Sequence, residues 1–394
     1  MARTGEMNCV VFGAGALGLG FLGPELTPDC HVTYLDIPTK ADLLEYLNRA
    51  GRYVFNETGL SMRPVEVRSV GGHCLAEGTE PREASGALDA ADLVFTAVGE
   101  PNLPKLAPLL ASATARRSAE RPLRVLCAEN GVEIARNLRA AVETAAGRAL
   151  GRSLLTGDTV MGRMCKIVSD PQPPVQPPAP GLDWAVVAEP FFGIPVEQHA
   201  VAGLAKVPSA IEPQRPERFR ASEDEKMLSH NGLHATLACI GYLKGVEFFD
   251  DLRGDPRAME MGRRLLMDEA GAALLKKHGA ALGRNEYLNY CDSILHRITC
   301  PVLHDPIARG VRGIMRKLAP WERLVYSVRT VAAQGIEPMA FATGLAAAII
   351  VARRAGETTL SFDAVLVEHC RFDPVAEGHL LRLVEDRRKA LAAG

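Results

Sequence analysis

A lysine, an asparagine and a histidine stand at Lys226, Asn231 and His234 in the spacing K-x-x-x-x-N-x-x-H, inside the run from Glu223 to Gly245. An amine, an amide and an imidazole suit metal-free oxidation of an alcohol. That reaction needs a base for the hydroxyl proton and hydrogen bonds for the oxygen on which charge builds. A lysine at its ordinary pKa of ~10.4 is a poor base near neutrality, and burial beside a cation lowers it into a useful range. At ~100° per residue on an α-helix, Lys226, His230 and His234 share one stripe and Asn231 lies one step round from His234. Leu237, Ile240, Tyr242 and Leu243 follow as apolar anchors. The plain alternatives are a solvated first-turn lysine and a turn asparagine helped by Gly232, with Glu223 as an ordinary helix-start acid. His230 and His234 at i, i+4 also have zinc-pair spacing, but no third ligand accompanies them at a recognisable spacing, so no metal is expected.

The elements that must present this helix to a cofactor begin at the other end of the chain. Asn8 to Phe12 reads as a buried strand running into G-A-G-A-L-G, Gly13 to Gly18. In a dinucleotide fold Gly13 allows the tight turn, Gly15 admits the pyrophosphate and Gly18 lets the following helix pack on the strand. Ala16 and Leu17 open that helix, whose N–H groups face the phosphates. A second strand, His31 to Leu35, ends in Asp36, 18 residues past Gly18. A carboxylate at that distance binds ribose hydroxyls and repels a 2′-phosphate, which favours NAD over NADP; Lys40 nearby is the residue that argues the other way. Pro24 implies a short or kinked first helix.

Strands are expected at Pro64 to Val70, Leu93 to Val98, Arg124 to Ala128 and Asp183 to Ala188, with helices at Leu106 to Arg116 and Val132 to Ala149. This alternation is that of a largely parallel, helix-covered sheet. T-A-V-G (Thr96 to Gly99) and C-A-E-N (Cys127 to Asn130) sit at strand ends, where ligands bind in open α/β sheets. Thr96, Val98 and Glu129 are therefore candidate cofactor contacts and Asn130 a candidate catalytic residue, with capping of the next helix at Val132 as the alternative. The proline-rich stretch 169–181 reads as a semi-rigid surface insertion. From Ser222 the pattern is helical, with segments at Glu223 to Lys244, Pro256 to His278, Glu286 to Arg297, Pro306 to Met315, Trp321 to Gln334, Pro338 to Ala355 and Val375 to Ala392.

The 394 residues exceed one ordinary core. Two domains are expected, 1–207 and 208–394. A formal charge of −2 gives no sign of a nucleic-acid or acidic-membrane partner. Nine cysteines without a C-x-x-C pair fit reduced thiols in the cytoplasm. The N-terminal M-A-R-T-G-E-M lacks an apolar signal region. The apolar run around Gly344 to Val351 is too short to cross a bilayer.

Taken together, G-A-G-x-x-G-x-G-F-x-G, T-A-V-G, C-A-E-N, the K-x-x-x-x-N-x-x-H helix with its G-Y-L-K-G, I-L-H-R with P-V-L, and M-R-K-L-A-P-W-E-R-L resemble the polyol-specific long-chain dehydrogenases over most of the chain. Members acting on mannitol 1-phosphate are the nearest in pattern. The resemblance implies a Rossmann domain followed by an all-α domain of 6-phosphogluconate-dehydrogenase-like architecture, with the active site in the cleft between them. It implies NAD as cofactor and no metal, with Lys226 as general base, Asn130 and Asn231 on the reacting oxygen, and His234 orienting the substrate. Arg163, Arg316 and Lys317 are candidate substrate or phosphate contacts, the last two within a basic group that includes Arg309, Arg312 and Arg323. Where the family carries D-x-x-V-D-R, this chain has D-T-V-M-G-R, Asp158 to Arg163, so Gly162 replaces an acid. The expected activity interconverts a hexitol phosphate and a ketose phosphate, mannitol 1-phosphate and fructose 6-phosphate. Two alternatives stay open: the same chemistry on an unphosphorylated polyol or a sugar acid, and a non-catalytic NAD-binding sensor. The expected partner is a small polyol or sugar phosphate, met by a cytoplasmic monomer or small homo-oligomer.

Overall fold

The computed structural model describes residues 7–75, 82–131 and 133–393. The segment 1–6 and Val132 therefore lie outside the described residues, and with them most of the N-terminal run and the expected cap at Val132. The chain divides into two compact units, Met1–Phe219 and Arg220–Gly394; the expectation had placed the change at 207/208.

In the first unit, β1 (Met7–Phe12), β2 (Cys30–Asp36), β3 (Arg52–Glu57), β4 (Arg63–Arg68), β5 (Val70–Cys74), β6 (Leu93–Thr96), β7 (Leu123–Cys127) and β8 (Leu154–Asp158) follow in order. Six of them form one sheet in the order β5-β2-β1-β6-β7-β8, and every pairing in it is parallel. The reason is visible in β1. Cys9 and Val11 enter one apolar cluster while Val10 and Phe12 enter another, so both faces are covered, as a parallel sheet requires. β1 has β2 on one side and β6 on the other. The chain reverses direction across the sheet there, which opens a crevice at the carboxyl end of β1.

A second sheet has the order β4-β3-β10-β9, with β9 (Cys165–Ser169) and β10 (Trp184–Ala188). A parallel pair, β11 (Ile194–Glu197) and β12 (Ile211–Gln214), completes the strands among the described residues. The expected strand Pro64 to Val70 is in fact split between β4 and β5, because Ser69 takes a left-handed φ of 64° and turns the chain from one sheet to the other. The proline-rich loop is not a detached insertion. Asn56 on β3 donates to Gln176 O and accepts from Gln176 N, both at 2.8 Å, and Val54 N reaches Pro178 O at 3.2 Å.

The second unit is helical. Pro216, still within the first unit, opens the helix that leads into it, at a position where a missing N–H costs nothing. The helix then runs unbroken through Pro216–Glu225, a wide π-helical stretch Lys226–Gly232, and Leu233–Leu243. A second long helix repeats the plan: Pro256–Arg264, a wide stretch Leu265–Gly271, and Ala272–His278. Helices Arg284–Ile298, Arg323–Ala333, Met339–Arg354 and Gly378–Ala393 follow. The expected helix Pro306 to Met315 is broken instead into Ile307–Val311 and Ile314–Lys317, with Gly313 between them at a φ of 62°. Met339–Arg354 is apolar all round and buried along most of its length. A Cβ on its Gly344 would lie 2.2 Å from Thr236 Oγ1, so glycine lets this helix press against Leu233–Leu243.

Candidate active site

The glycine turn follows β1 directly. Gly13 has a φ of 105°, and a Cβ on it would sit 2.4 Å from Ala97 O. A Cβ on Gly18 would sit 2.0 Å from Gly13 O, so the helix can start this close to the turn only with glycine there. Gly15 is different: nothing lies within 4 Å of where its Cβ would be. Two glycines are thus demanded by the protein's own packing, and the middle one faces open space that a phosphate can enter.

The helix beyond the turn copes with Pro24 by widening rather than stopping. Gly18–Leu22 is π-helical and Gly23–Leu26 continues as α-helix. Two buried tyrosines supply hydrogen bonds there, Tyr34 OH to Gly18 O at 3.0 Å and Tyr53 OH to Leu19 O at 2.8 Å.

Asp36 ends β2 with one carboxylate oxygen accepting from Ala14 N at 2.7 Å and the other from Ile37 N at 2.7 Å. Each oxygen keeps a second lone pair for a ribose hydroxyl. Lys40 lies over the Trp184 ring, 3.6 Å from its centroid. Thr96 is fully buried and donates to Glu129 Oε2 at 2.6 Å, while Val98 N donates to Glu129 Oε1 at 3.1 Å. Glu129 therefore ties the ends of β6 and β7 together, with burial raising its carboxyl against the pull of the Thr96 bond. Asn130, the next residue, is exposed.

In the helical unit the wide turn changes the geometry expected of Lys226, Asn231 and His234. A π turn closes with i→i−5 bonds, so the residue five positions on lies above the first. One extra residue in the turn rotates everything after it by ~100° relative to a plain α-helix. Asn231 thus stacks over Lys226, and His234 comes onto the same face. The stripe of Lys226, His230 and His234 drawn from α-helical spacing is replaced by one of Lys226, Asn231 and His234. Exposure agrees: these three keep partial access, whereas His230 is buried with its Nδ1 unpartnered.

The electrostatics of this face suit a base. Burial, and then the charge of Arg323, bring the Lys226 ammonium down to about 7 against the opposing pull of Glu223. Burial, followed by Arg297, His234 and Lys226, pushes His230 well below the ordinary imidazole value, so it stays neutral. His234 Nε2 lies 3.5 Å from Asp305 Oδ2, and its ring packs 4.4 Å from that of Phe249. Asp305 is in turn gripped by both ends of the Arg309 guanidinium, at 2.7 and 2.6 Å. Burial works to raise the Asp305 carboxyl, but His234 and Arg309 outweigh it and hold it well below the usual range. Among the described residues no group of three or more His, Cys, Asp and Glu side chains is placed to hold a metal ion.

The three candidate phosphate contacts fare differently. Arg316 is exposed and donates to Glu322 Oε1 at 2.5 Å. Lys317 is buried, donates to Gly310 O, and is brought down to about 8 by burial and Arg323. Arg163 departs from the expectation of an anion contact. Its side chain is 1% exposed and set between Glu57, at 3.1 Å, and Glu25, at 3.5 Å, with Nε donating to Glu189 O. A guanidinium enclosed by two carboxylates is already neutralised and out of a substrate's reach. Its neighbour Gly162 has no room for the family's acid, because a Cβ there would fall 2.7 Å from the Phe191 ring.

Sequence reasoning missed the wide turn, the role of Arg323 as the charged neighbour of Lys226, and the Asp305–Arg309 pair behind His234. Only the last had a signal, an acid and an arginine at i, i+4 in D-P-I-A-R.

Comparison with known proteins matches residues 7–207 to the mannitol dehydrogenase Rossmann domain and residues 220–366 to the mannitol dehydrogenase C-terminal domain. A mannitol-1-phosphate 5-dehydrogenase of Geobacillus thermodenitrificans is 32% identical over 326 residues, covering 81% of this chain and 80% of the relative. Another, of Pseudarthrobacter chlorophenolicus, is 29% identical over 414 residues, covering 98% and 99%. Among solved structures, the fold is similar to Pseudomonas fluorescens mannitol 2-dehydrogenase in ternary complex with NAD and D-mannitol, with a TM-score of 0.70, 14% identity, and 98% and 92% of the two chains covered. It is also similar to a D-sorbitol dehydrogenase in substrate-free form, with a TM-score of 0.73, 16% identity, and 99% and 94% covered.

Proposed function

The chain belongs to the mannitol dehydrogenase family, and we propose that it is an NAD-dependent dehydrogenase interconverting mannitol 1-phosphate and fructose 6-phosphate. The observation that carries this reading is the face of Lys226, Asn231 and His234, with the amine brought to about 7. The relatives named as mannitol-1-phosphate 5-dehydrogenases supply the substrate.

The residues around the glycine turn fit a dinucleotide, since Gly15 borders open space where its neighbours are packed. Gly13, Gly15, Ala16, Leu17 and Gly18 would hold its pyrophosphate and Asp36 its adenosine ribose. When bound, the nicotinamide supplies the acceptor for the hydride of the carbinol carbon. The protein's own part is proton handling and orientation. Neutral Lys226 takes the hydroxyl proton, and half of the lysines are neutral already near pH 7. The Asn231 amide donates to the oxygen as negative charge builds there, without competing for the proton. His234, backed by Asp305 and Arg309, hydrogen-bonds a neighbouring hydroxyl and sets the carbinol in line. The basic group Arg316, Lys317 and Arg323 attracts the phosphate. A cytoplasmic setting belongs to the same proposal.

The test is NAD reduction by mannitol 1-phosphate and by mannitol, with the reverse reaction on fructose 6-phosphate and fructose. The expected result is a kcat/KM about 100-fold or more higher for the phosphate esters, the loss of one charge-assisted anion contact being worth that much. Equal turnover of mannitol moves the assignment to an unphosphorylated polyol. Dinucleotide binding with no turnover of any of the four leaves a sensor.

A further inference from the structure

The wide turn at Lys226–Gly232 has a neighbour that explains why it sits where it does. Ser229, in the middle of that turn and fully buried, has its Oγ 2.8 Å from the hydroxyl of Tyr287. The Tyr287 hydroxyl lies 2.8 Å from Leu266 O, inside the second wide turn, Leu265–Gly271. A carbonyl only accepts, and a phenol has one proton. Tyr287 therefore donates to Leu266, and its oxygen accepts the proton of Ser229. A serine in a helix ordinarily returns its proton to the carbonyl four residues back. Here that proton is drawn sideways to another helix. The ring is held as well: a Cβ on Gly271 would lie 2.5 Å from Tyr287 Cε1, so glycine at 271 makes the seat for it.

An extra residue in a helix has no intrinsic address, because the same excess can be accommodated a few positions earlier or later. Its address here decides the site. Placed between Lys226 and Asn231 it stacks the amide over the amine; placed before Lys226 or after Asn231 it turns the two apart by ~100°.

We infer that Tyr287 is a positioning residue which, through Ser229 and Leu266, pins the wide turn between Lys226 and Asn231 and so assembles the proton-abstracting face. The inference deepens the dehydrogenase reading and rests on it only for its kinetic arm. It takes no part in chemistry: Tyr287 is buried, and its one proton is committed to a carbonyl.

Tyr287→Phe keeps the ring on Gly271 and removes the oxygen; Ser229→Ala removes the other half of the contact. Each is expected to lower kcat about 10- to 100-fold, as sub-ångström to ångström misplacement of a catalytic group does. Dinucleotide affinity should stay as in the wild type, and the pH at which the rate is half-maximal should move. The double variant should lose no more than the worse single variant, because both act through one contact. The ionisation of Lys226, followed directly by NMR of its side-chain amine in wild type and Tyr287→Phe, reads the same displacement without turnover. A folded Tyr287→Phe with wild-type kcat, pH profile and Lys226 ionisation overturns the inference. Altered Lys226 ionisation in a protein that oxidises no hexitol phosphate sustains it while sinking the substrate assignment. A fall in melting temperature alone, with kinetics and ionisation unmoved, assigns Tyr287 to stability and also overturns it.

Discussion

Two helices in this protein carry a wide turn at a proposed functional position, and different residues set them. The helix after the glycine turn widens at Gly18–Leu22. Its constraints are written in residue types: Gly18 for closeness to Gly13, Pro24 for the missing donor, and Gly23 because a Cβ would lie 2.1 Å from both the Tyr34 and the Tyr53 hydroxyl. The helix bearing Lys226 widens at Lys226–Gly232, where its one glycine is pressed on by Phe341, a Cβ on Gly232 falling 2.7 Å from that ring. The features that centre the turn on Ser229 come from Tyr287 and Leu266, 58 and 37 residues further along the chain (287 − 229 and 266 − 229). The proposed cofactor end thus carries glycines and a proline that can be read along the chain, while the turn at the proposed catalytic end is centred by a tyrosine contact that the residue types there do not announce.

The sharpest way to break this contrast is to remove the group each turn exists to place. Lys226→Met should cost kcat about 10³-fold or more while leaving NAD affinity intact, measured by initial rates and by fluorescence titration. The same substitution has a stability signature. The folded value near 7 lies below the ordinary 10.5 of the unfolded chain. The unfolded state therefore binds more protons between those values, and stability climbs with pH across that window. Lys226→Met should abolish that climb, melting higher than wild type at pH 7 and little differently near pH 10.5. A variant that melts lower at pH 7 would mean the amine is not held at a cost.

Gly18→Ala tests the locally specified turn. A Cβ 2.0 Å from Gly13 O must push helix and turn apart. Dinucleotide binding should fall below detection in calorimetry and the melting temperature should drop. Lys226 chemistry, followed by its ionisation, should be unaffected if the two ends are specified separately.

The smallest effect is expected at Asp36. Asp36→Ser removes the charge facing a 2′-phosphate, and the ratio of kcat/KM for NAD to that for NADP should fall about tenfold, the worth of one charged hydrogen bond. An unchanged ratio would give cofactor choice to another residue.

These contrasts also show what the sequence could reveal. The parallel, helix-covered sheet was legible in the alternation of strand and helix patterns, and Gly13 to Gly18 declared its turn through the spacing of its glycines. The helical segments emerged with their ends misplaced by a few positions, Glu223 for Pro216 being the largest, because Pro216 was read as a boundary mark rather than a helix opener. Three things stayed hidden. β3, β8 and β9 went unread: β8 and β9 are five-residue strands at sheet edges, and β3 lies in a mixed pairing, antiparallel to β4 and parallel to β10. The wide turn leaves no residue signature, so α-helical spacing put His230 on the catalytic stripe. Arg163 carried a charge that looked available until Glu25 and Glu57 were seen to enclose it.

Phe191 couples two parts of the chain. Its ring occupies the volume that any side chain at 162 would claim, and its edge meets Phe21, with 6.4 Å between ring centroids. A side chain introduced at 162 therefore requires the Phe191 ring to move aside. A carboxylate at 162 meets this ring, and a smaller side chain at 191 gives up the edge contact with Phe21. Positions 162 and 191 are thus coupled through packing, and a change at one is felt at the other.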